Sequence, residues 1–241
     1  FADASDFTFV IVGNFKADTL LPKLKKYLGS LPSMHRKASW KNVDPDFPDG
    51  ITKFEIHKGM AQKSRVTMVM NDPFEWNYNN RLQLDMLRKI LSIRFREVLR
   101  EREGGTYGVR VTAYPQKYPV QEYSIWISFG CSPQEVDKLV GILKDVMQQV
   151  RNEGPKPVNL TKAKNTFITT REENIEKNSY WLSGLQSYYF KGNPLLTLEE
   201  YKKRVNAVTL EDIQKSAEKY LNMNNYVLGI LKPGKKDTTA Q

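Results

Sequence analysis

An α+β fold, two-layered, with helices packed on one face of a mostly antiparallel sheet, is what this 241-residue sequence predicts. Three observations carry that expectation. Thr106 to Tyr114 and Tyr123 to Phe129 alternate apolar and polar residues, as two half-buried strands joined around Pro115 and Pro119 would. A long helical pattern from about Asn79 to Glu103 precedes them and stops at Gly104-Gly105. Several helical patterns follow before a last apolar run, Tyr226 to Leu231.

Taken in order, Phe7-Thr-Phe-Val-Ile-Val12 reads as a buried strand ending at Gly13-Asn14. Asp18 is placed to cap a helix over about 19–28, which Gly29 to Pro32 stops. Residues 33–52 read as a linker, rich in Pro and Asp. The main unit begins near Lys53, and Arg65 to Met70 has strand character before the turn at Asn71-Asp72-Pro73. Ser132-Pro133-Gln134-Glu135 has the form of a capping box with Pro at the first helical position. Helices are expected after it, and again over about 158–176, 179–190, 198–206 and 210–221. Thr197/Glu200 and Thr209/Asp212 open the last two. Phe7–Asn14 resembles Tyr226–Pro233 in kind, so residues 1–32 are expected to be the terminal strand and helix of a preceding, similar domain. The carboxy-terminal domain is expected over 53–234, with a loose tail at 235–241.

Composition narrows the function classes. Apolar residues make up 40% and charged residues 27%, which suits a folded chain rather than a disordered one. No apolar stretch reaches the roughly 18–20 residues that cross a bilayer, so no membrane span is expected. No signal-peptide pattern opens the sequence. The net charge of +10 admits acidic partners. Its basic residues are dispersed, and no nucleic-acid-binding signature accompanies them, so nucleic acid is not an expected partner. The single Cys131 excludes an internal disulfide and a cysteine-rich zinc site, and it leaves the compartment open. It reads as a small packed residue, not a nucleophile.

His35 and His57 are the two histidines, and neither stands in a paired metal-binding pattern. Glu55 and His57 share one side of a strand-like stretch, as a surface pair would. The long helix is more informative. Leu84, Leu87, Leu91, Phe95 and Val98 form one stripe, while Leu82, Met86 and Ile93 lie on nearly the opposite side. A helix apolar on two sides needs two covers. The sheet supplies one, and a missing neighbour is expected to supply the other. Arg100 projects from that second side, one turn from the helix end, and Tyr107 opens the next strand. The pair reads either as a site facing that neighbour or as a solvated charge and a core aromatic.

The segment Leu99-Arg-Glu-Arg-Glu-Gly-Gly-Thr-Tyr-Gly-Val109 resembles a motif of the pitrilysin/insulysin-type zinc metallopeptidases, in which an Arg and a Tyr seven residues on reach substrate. Here 107 − 100 = 7, so Arg100 and Tyr107 match it position by position. Phe9-Val-Ile-Val-Gly-Asn-Phe15, Lys26-Tyr-Leu-Gly-Ser-Leu-Pro32, Asn178-x-Tyr180-Trp-Leu182 and Val208-Thr-x-Glu-Asp212 extend the resemblance over nearly the whole chain. The bacterial zinc-protease branch looks most similar, which implies the periplasm or cell envelope. The resemblance implies the carboxy-terminal, substrate-binding portion of a zinc endopeptidase whose four similar domains close around a chamber. Zinc would lie in an amino-terminal half, bound by an H-x-x-E-H helix absent from this sequence. Peptide substrate and that half, or a partner subunit, are the partners implied. Tyr107 would donate to an oxyanion or carbonyl, and Arg100 would bind substrate. A non-catalytic assembly or processing subunit of the same fold is the alternative.

Overall fold

The computed structural model describes residues 2–37, 39, 41–43, 47–106 and 108–234, with Glu101 and Arg102 described in their backbone alone. The chain divides into two compact units, Phe1–Val43 with Thr169–Glu200, and Asp44–Ile168 with Tyr201–Gln241. Residues 169–200, read from sequence as part of the main domain, thus group with the first 43.

The second unit is built on five strands: β1 (Ile51–His57), β2 (Ser64–Pro73), β3 (Val109–Gln116), β4 (Glu122–Cys131) and β5 (Tyr226–Lys232). Their order is β1-β5-β2-β4-β3, and every pairing is antiparallel except β1 with β5. Period-two alternation sorts the two faces. Val66, Met68 and Met70 of β2 are buried on one face, with Tyr123, Ile125, Ile127 and Phe129 of β4 and Tyr226 and Leu228 of β5. Arg65, Trp126, Arg110 and Tyr114 point to the other, which is open. Thr209 closes the expected capping box with Asp212, and Thr197 exchanges the same pair of bonds with Glu200.

The covered face carries α2 (Tyr78–Phe95), a π-helical turn (Arg96–Arg102), α3 (Val136–Glu153) and α7 (Leu210–Tyr220). Between α3 and α7 the chain forms α4 (Pro157–Asn174), α5 (Asn178–Lys191) and α6 (Leu198–Ala207), which with α7 lie close to the four spans the sequence predicts. Asn77 caps α2 by accepting the Asn80 N–H at 2.8 Å. A buried polar knot ties the far end of the sheet. The Tyr123 hydroxyl donates to the Tyr220 carbonyl at 2.9 Å, and Asn222 donates to Asp72 at 3.0 Å. Burial, and then the neighbouring Asp72 charge, raise the Tyr123 pKa above the usual phenol range, so the hydroxyl stays protonated as a donor.

Four expectations are corrected. The second apolar side of α2 is covered by α7 of the same unit, not by a missing neighbour: Leu82 lines a small cleft with Val208 and Asp212, and Gln83 accepts from the Ser216 hydroxyl. Met86, one turn on from them, is fully buried. Ser132 makes no side-chain cap, because Pro133–Glu135 forms a tight 3₁₀ turn and α3 starts only at Val136. Phe7–Val12 forms no strand, since it has no strand to pair with among the described residues; Phe7, Phe9 and Ile11 are exposed. In α1 (Ala17–Tyr27) Lys16 holds the cap position, and Asp18 falls in the first turn, where its charge favours the helix dipole instead. Residues 235–241 lie outside the described residues.

Candidate functional site

Arg100 lies where the long helix changes pitch. After Phe95 the helix widens into the π-helical turn Arg96–Arg102, a geometry that is rare and often found at functional sites. Val98 and Leu99 in that turn are buried in the core. Arg100 beside them is exposed, and its guanidinium has no hydrogen bond or ion pair among the described residues. The turn is anchored on both sides of it. Glu97 accepts from the buried Arg94 at 3.0 Å and lies 3.8 Å from Lys162, while Arg94 also donates to Gln149 of α3 at 3.2 Å. Glu103 pairs with Lys138 of α3 at 3.2 Å. The Lys138 pKa is raised first by that hydrogen bond and then by the Glu135 charge.

The glycine stop takes the form the sequence suggests. Gly104 adopts φ +62°, and its N–H donates to the Arg100 carbonyl at 3.1 Å. Gly105 packs so closely on Leu139 that a Cβ there would lie 2.8 Å from its methyl group. Thr106 is buried and donates from its hydroxyl to the Gly130 carbonyl at the end of β4, 2.7 Å away, while accepting the Gly108 N–H at 3.2 Å. Arg100 is therefore carried on a turn fixed to α3 and the sheet. Tyr107 lies outside the described residues; its neighbours Thr106 and Gly108 are the pair joined by that bond.

The other candidates take simpler places. His57 pairs with Glu55 at 2.7 Å, and Lys232 bonds the same carboxylate at 2.9 Å. The Lys232 bond is the main cause of the lowered Glu55 pKa. His35 is exposed in the other unit. No group of three His, Cys, Asp or Glu side chains comes together among the described residues, so those present do not fit a zinc site. Cys131 is buried, and burial followed by the Glu135 charge raises its thiol pKa, which suits packing rather than attack. No helix among the described residues is long and apolar enough to cross a membrane. The buried Arg94 tie is invisible to sequence reading, because its partner Gln149 is 55 residues away.

The sequence matches the family described as "Peptidase M16 inactive domain" over residues 1–167. The chain belongs to that family. Among individual proteins it is similar to an Arabidopsis thaliana protein named "Zinc protease PQQL-like", 24% identical over 80% of this chain and 22% of that one. It is similar also to "Probable zinc protease PqqL" of Escherichia coli, 25% identical over 97% of this chain and 25% of that one. The crystal structure of the periplasmic protease PqqL from Escherichia coli superposes with a TM-score of 0.75 at 19% identity, over 92% of this chain and 24% of that one. A protease from Helicobacter pylori superposes at 0.77 and 19%, over 92% of this chain and 54% of that one. The chain thus spans about a quarter of the length of the curated relatives it matches, whose names make them zinc proteases.

This site yields one prediction of its own. Purified without chelator, the chain is expected to hold far less than one zinc per molecule, because its histidines are unclustered. Metal analysis finding about one tight zinc per chain would overturn this.

Proposed function

We infer that this chain is the substrate-gripping portion of a zinc endopeptidase, which holds a peptide against chemistry performed elsewhere in the full-length protein. The observation that carries the reading is Arg100: an exposed, unpaired guanidinium on a turn anchored by Arg94, Glu97, Glu103 and Lys138. A solvated surface charge needs no such anchoring, whereas a group that must meet a ligand in one place does. Arg100 binds a substrate backbone oxygen or positions Tyr107, and Tyr107 donates its hydroxyl to the oxygen of the scissile carbonyl as charge builds there. The relatives' names make them zinc proteases, and in this reading the zinc belongs to another portion of the full-length protein. Residues 1–32 would then be the end of a preceding domain; the exposed Phe7, Phe9 and Ile11 support this, being what a strand separated from its sheet leaves uncovered. The periplasmic relative supports a cell-envelope location.

Arg100→Ala in the full-length peptidase tests the reading. A charge-assisted hydrogen bond to ground-state substrate is worth about 1.5–3 kcal/mol, so KM is expected to rise roughly 10- to 100-fold. Steady-state kinetics on a quenched peptide would measure it. A variant with unchanged KM and kcat makes Arg100 an ordinary surface charge and removes the reading.

A further inference from the structure

The open face of the sheet has a charge pattern that the Arg100 corner does not explain. Register places Arg65 of β2 beside Gly130 and Arg110 of β3 beside Ser128, on opposite flanks of β4. Neighbouring strands lie about 4.8 Å apart and Gly130 lies about 7 Å along β4 from Ser128, so the two arginines stand about 12 Å apart across β4, near enough for their long side chains to meet one acidic side chain. Both are exposed, and neither has an ion pair among the described residues. Thr106 bonds the same Gly130, so the arginines occupy the end of the sheet to which the Arg100 turn is pinned.

Away from that end the face carries two exposed aromatics, Trp126 at 45% and Tyr114 at 55%, among Thr112 and Ser124. Phe54, 49% exposed, stands in the Arg110 row on the opposite edge of the sheet. The Trp126 indole donates to the Ser124 hydroxyl at 3.1 Å, which draws the ring along the face. The Phe54 ring lies across Gly229, where a Cβ would come within 2.7 Å of it. Among the described strand residues, the one carboxylate that register puts on this face is Glu122, at the opposite end. Glu122 is eight positions from Gly130 (130 − 122 = 8), or about 26 Å along the strand. An apolar partner laid over this face would bury two unpaired guanidinium groups, which is costly. A partner that brings carboxylates to that end and apolar side chains to the middle leaves no charge unpaired.

We propose that the open face binds an extended peptide segment, and that Arg65 and Arg110 select one with Asp or Glu followed by apolar residues. The proposal rests on the peptide-gripping reading and adds its substrate class. Aromatic anchors give the segment contact area, and the arginine pair fixes its direction.

NMR titration of the labelled chain, followed at the Trp126 indole N–H, tests it. Three short peptides would share apolar flanks and differ at one pair of positions, Glu-Glu, Gln-Gln or Lys-Lys. The acidic peptide is expected to bind about tenfold more tightly than the others at low salt, with the gap narrowing as salt screens the charges. The double variant Arg65→Glu/Arg110→Glu is expected to reverse the order, favouring Lys-Lys. No binding, equal binding, or a ranking unchanged in the double variant would each overturn the proposal. So would sedimentation showing a dimer that shields Trp126, which would make a second copy the occupant. Arg100→Ala separates the two readings. If it changes nothing while the double variant reverses the ranking, the open face stands and the role of Arg100 falls. If it weakens all three peptides alike while the double variant leaves the ranking unchanged, the opposite holds.

Discussion

Tyr107→Phe in the full-length peptidase is expected to lower kcat roughly 10²-fold while leaving KM nearly unchanged. The substitution removes one hydroxyl and keeps the ring. If that hydroxyl bonds the oxygen only as negative charge develops, the loss falls on the transition state and not on substrate binding. Its neighbours are tied in place: Thr106 is held to Gly130 and bonded to Gly108, and the helix before them ends in a glycine turn packed on Leu139. Arg100→Ala should differ by acting on KM, so the two variants give distinct kinetic signatures. Melting temperatures within a few degrees of the parent would show that folding is intact. Full activity in Tyr107→Phe, or unfolding of the variant, would make the residue structural.

The sheet was legible in the sequence because one of its faces is solvated. Val66, Met68 and Met70 alternate with Arg65, Thr67 and Val69, and the same rhythm in β3 and β4 specifies which side is buried. The open face was therefore encoded as well: Arg65, Arg110 and Trp126 occupy the off-beat positions. What single-strand periodicity cannot supply is register, and register is what brings Arg65 and Arg110 to the same end of β4. The Phe7–Val12 pattern failed for a related reason. Apolar alternation shows that a segment can pair, but a strand exists only where another strand meets it. Its aromatic residues remain exposed here.

Arg100 is exposed, but not for the reason the sequence offers. The sequence argument gave it an exposed position because the second side of the helix was assigned to a missing neighbour. Within this chain α7 covers that side, through Leu82, Gln83 and Ser216. Arg100 is exposed because the helix widens at residues 96–102, which shifts each later side chain relative to the α-helical count. No propensity scale marks such a turn. It is flanked by the Arg94–Gln149 tie and the Glu103–Lys138 pair, both made with the distant α3, which no local pattern could anticipate.

That correction carries the largest expected effect on stability. Met86 is 0% exposed on the side of α2 that faces α7, and Ile213 of α7 is equally buried in the same core. If α7 is the cover, Met86→Ala opens a cavity in the isolated chain and is expected to cost about 2–5 kcal/mol, with Ile213→Ala costing a similar amount. Both lie in one core, on helices that pack against each other, so the double variant is expected to depart from additivity by about 0.5 kcal/mol or more. Trp126→Ala on the open face provides the contrast. Its ring is almost half exposed, so its removal is expected to cost less than either core change. Urea unfolding of the four variants beside the parent would measure all of these, with the midpoint shift at constant slope giving the stability change. A missing neighbour would give the other result: Met86 would face solvent when the chain is alone, and its truncation would cost less than about 0.5 kcal/mol. A cost that small for Met86→Ala would return the second side of α2 to an external partner and revive the original account of why Arg100 is exposed.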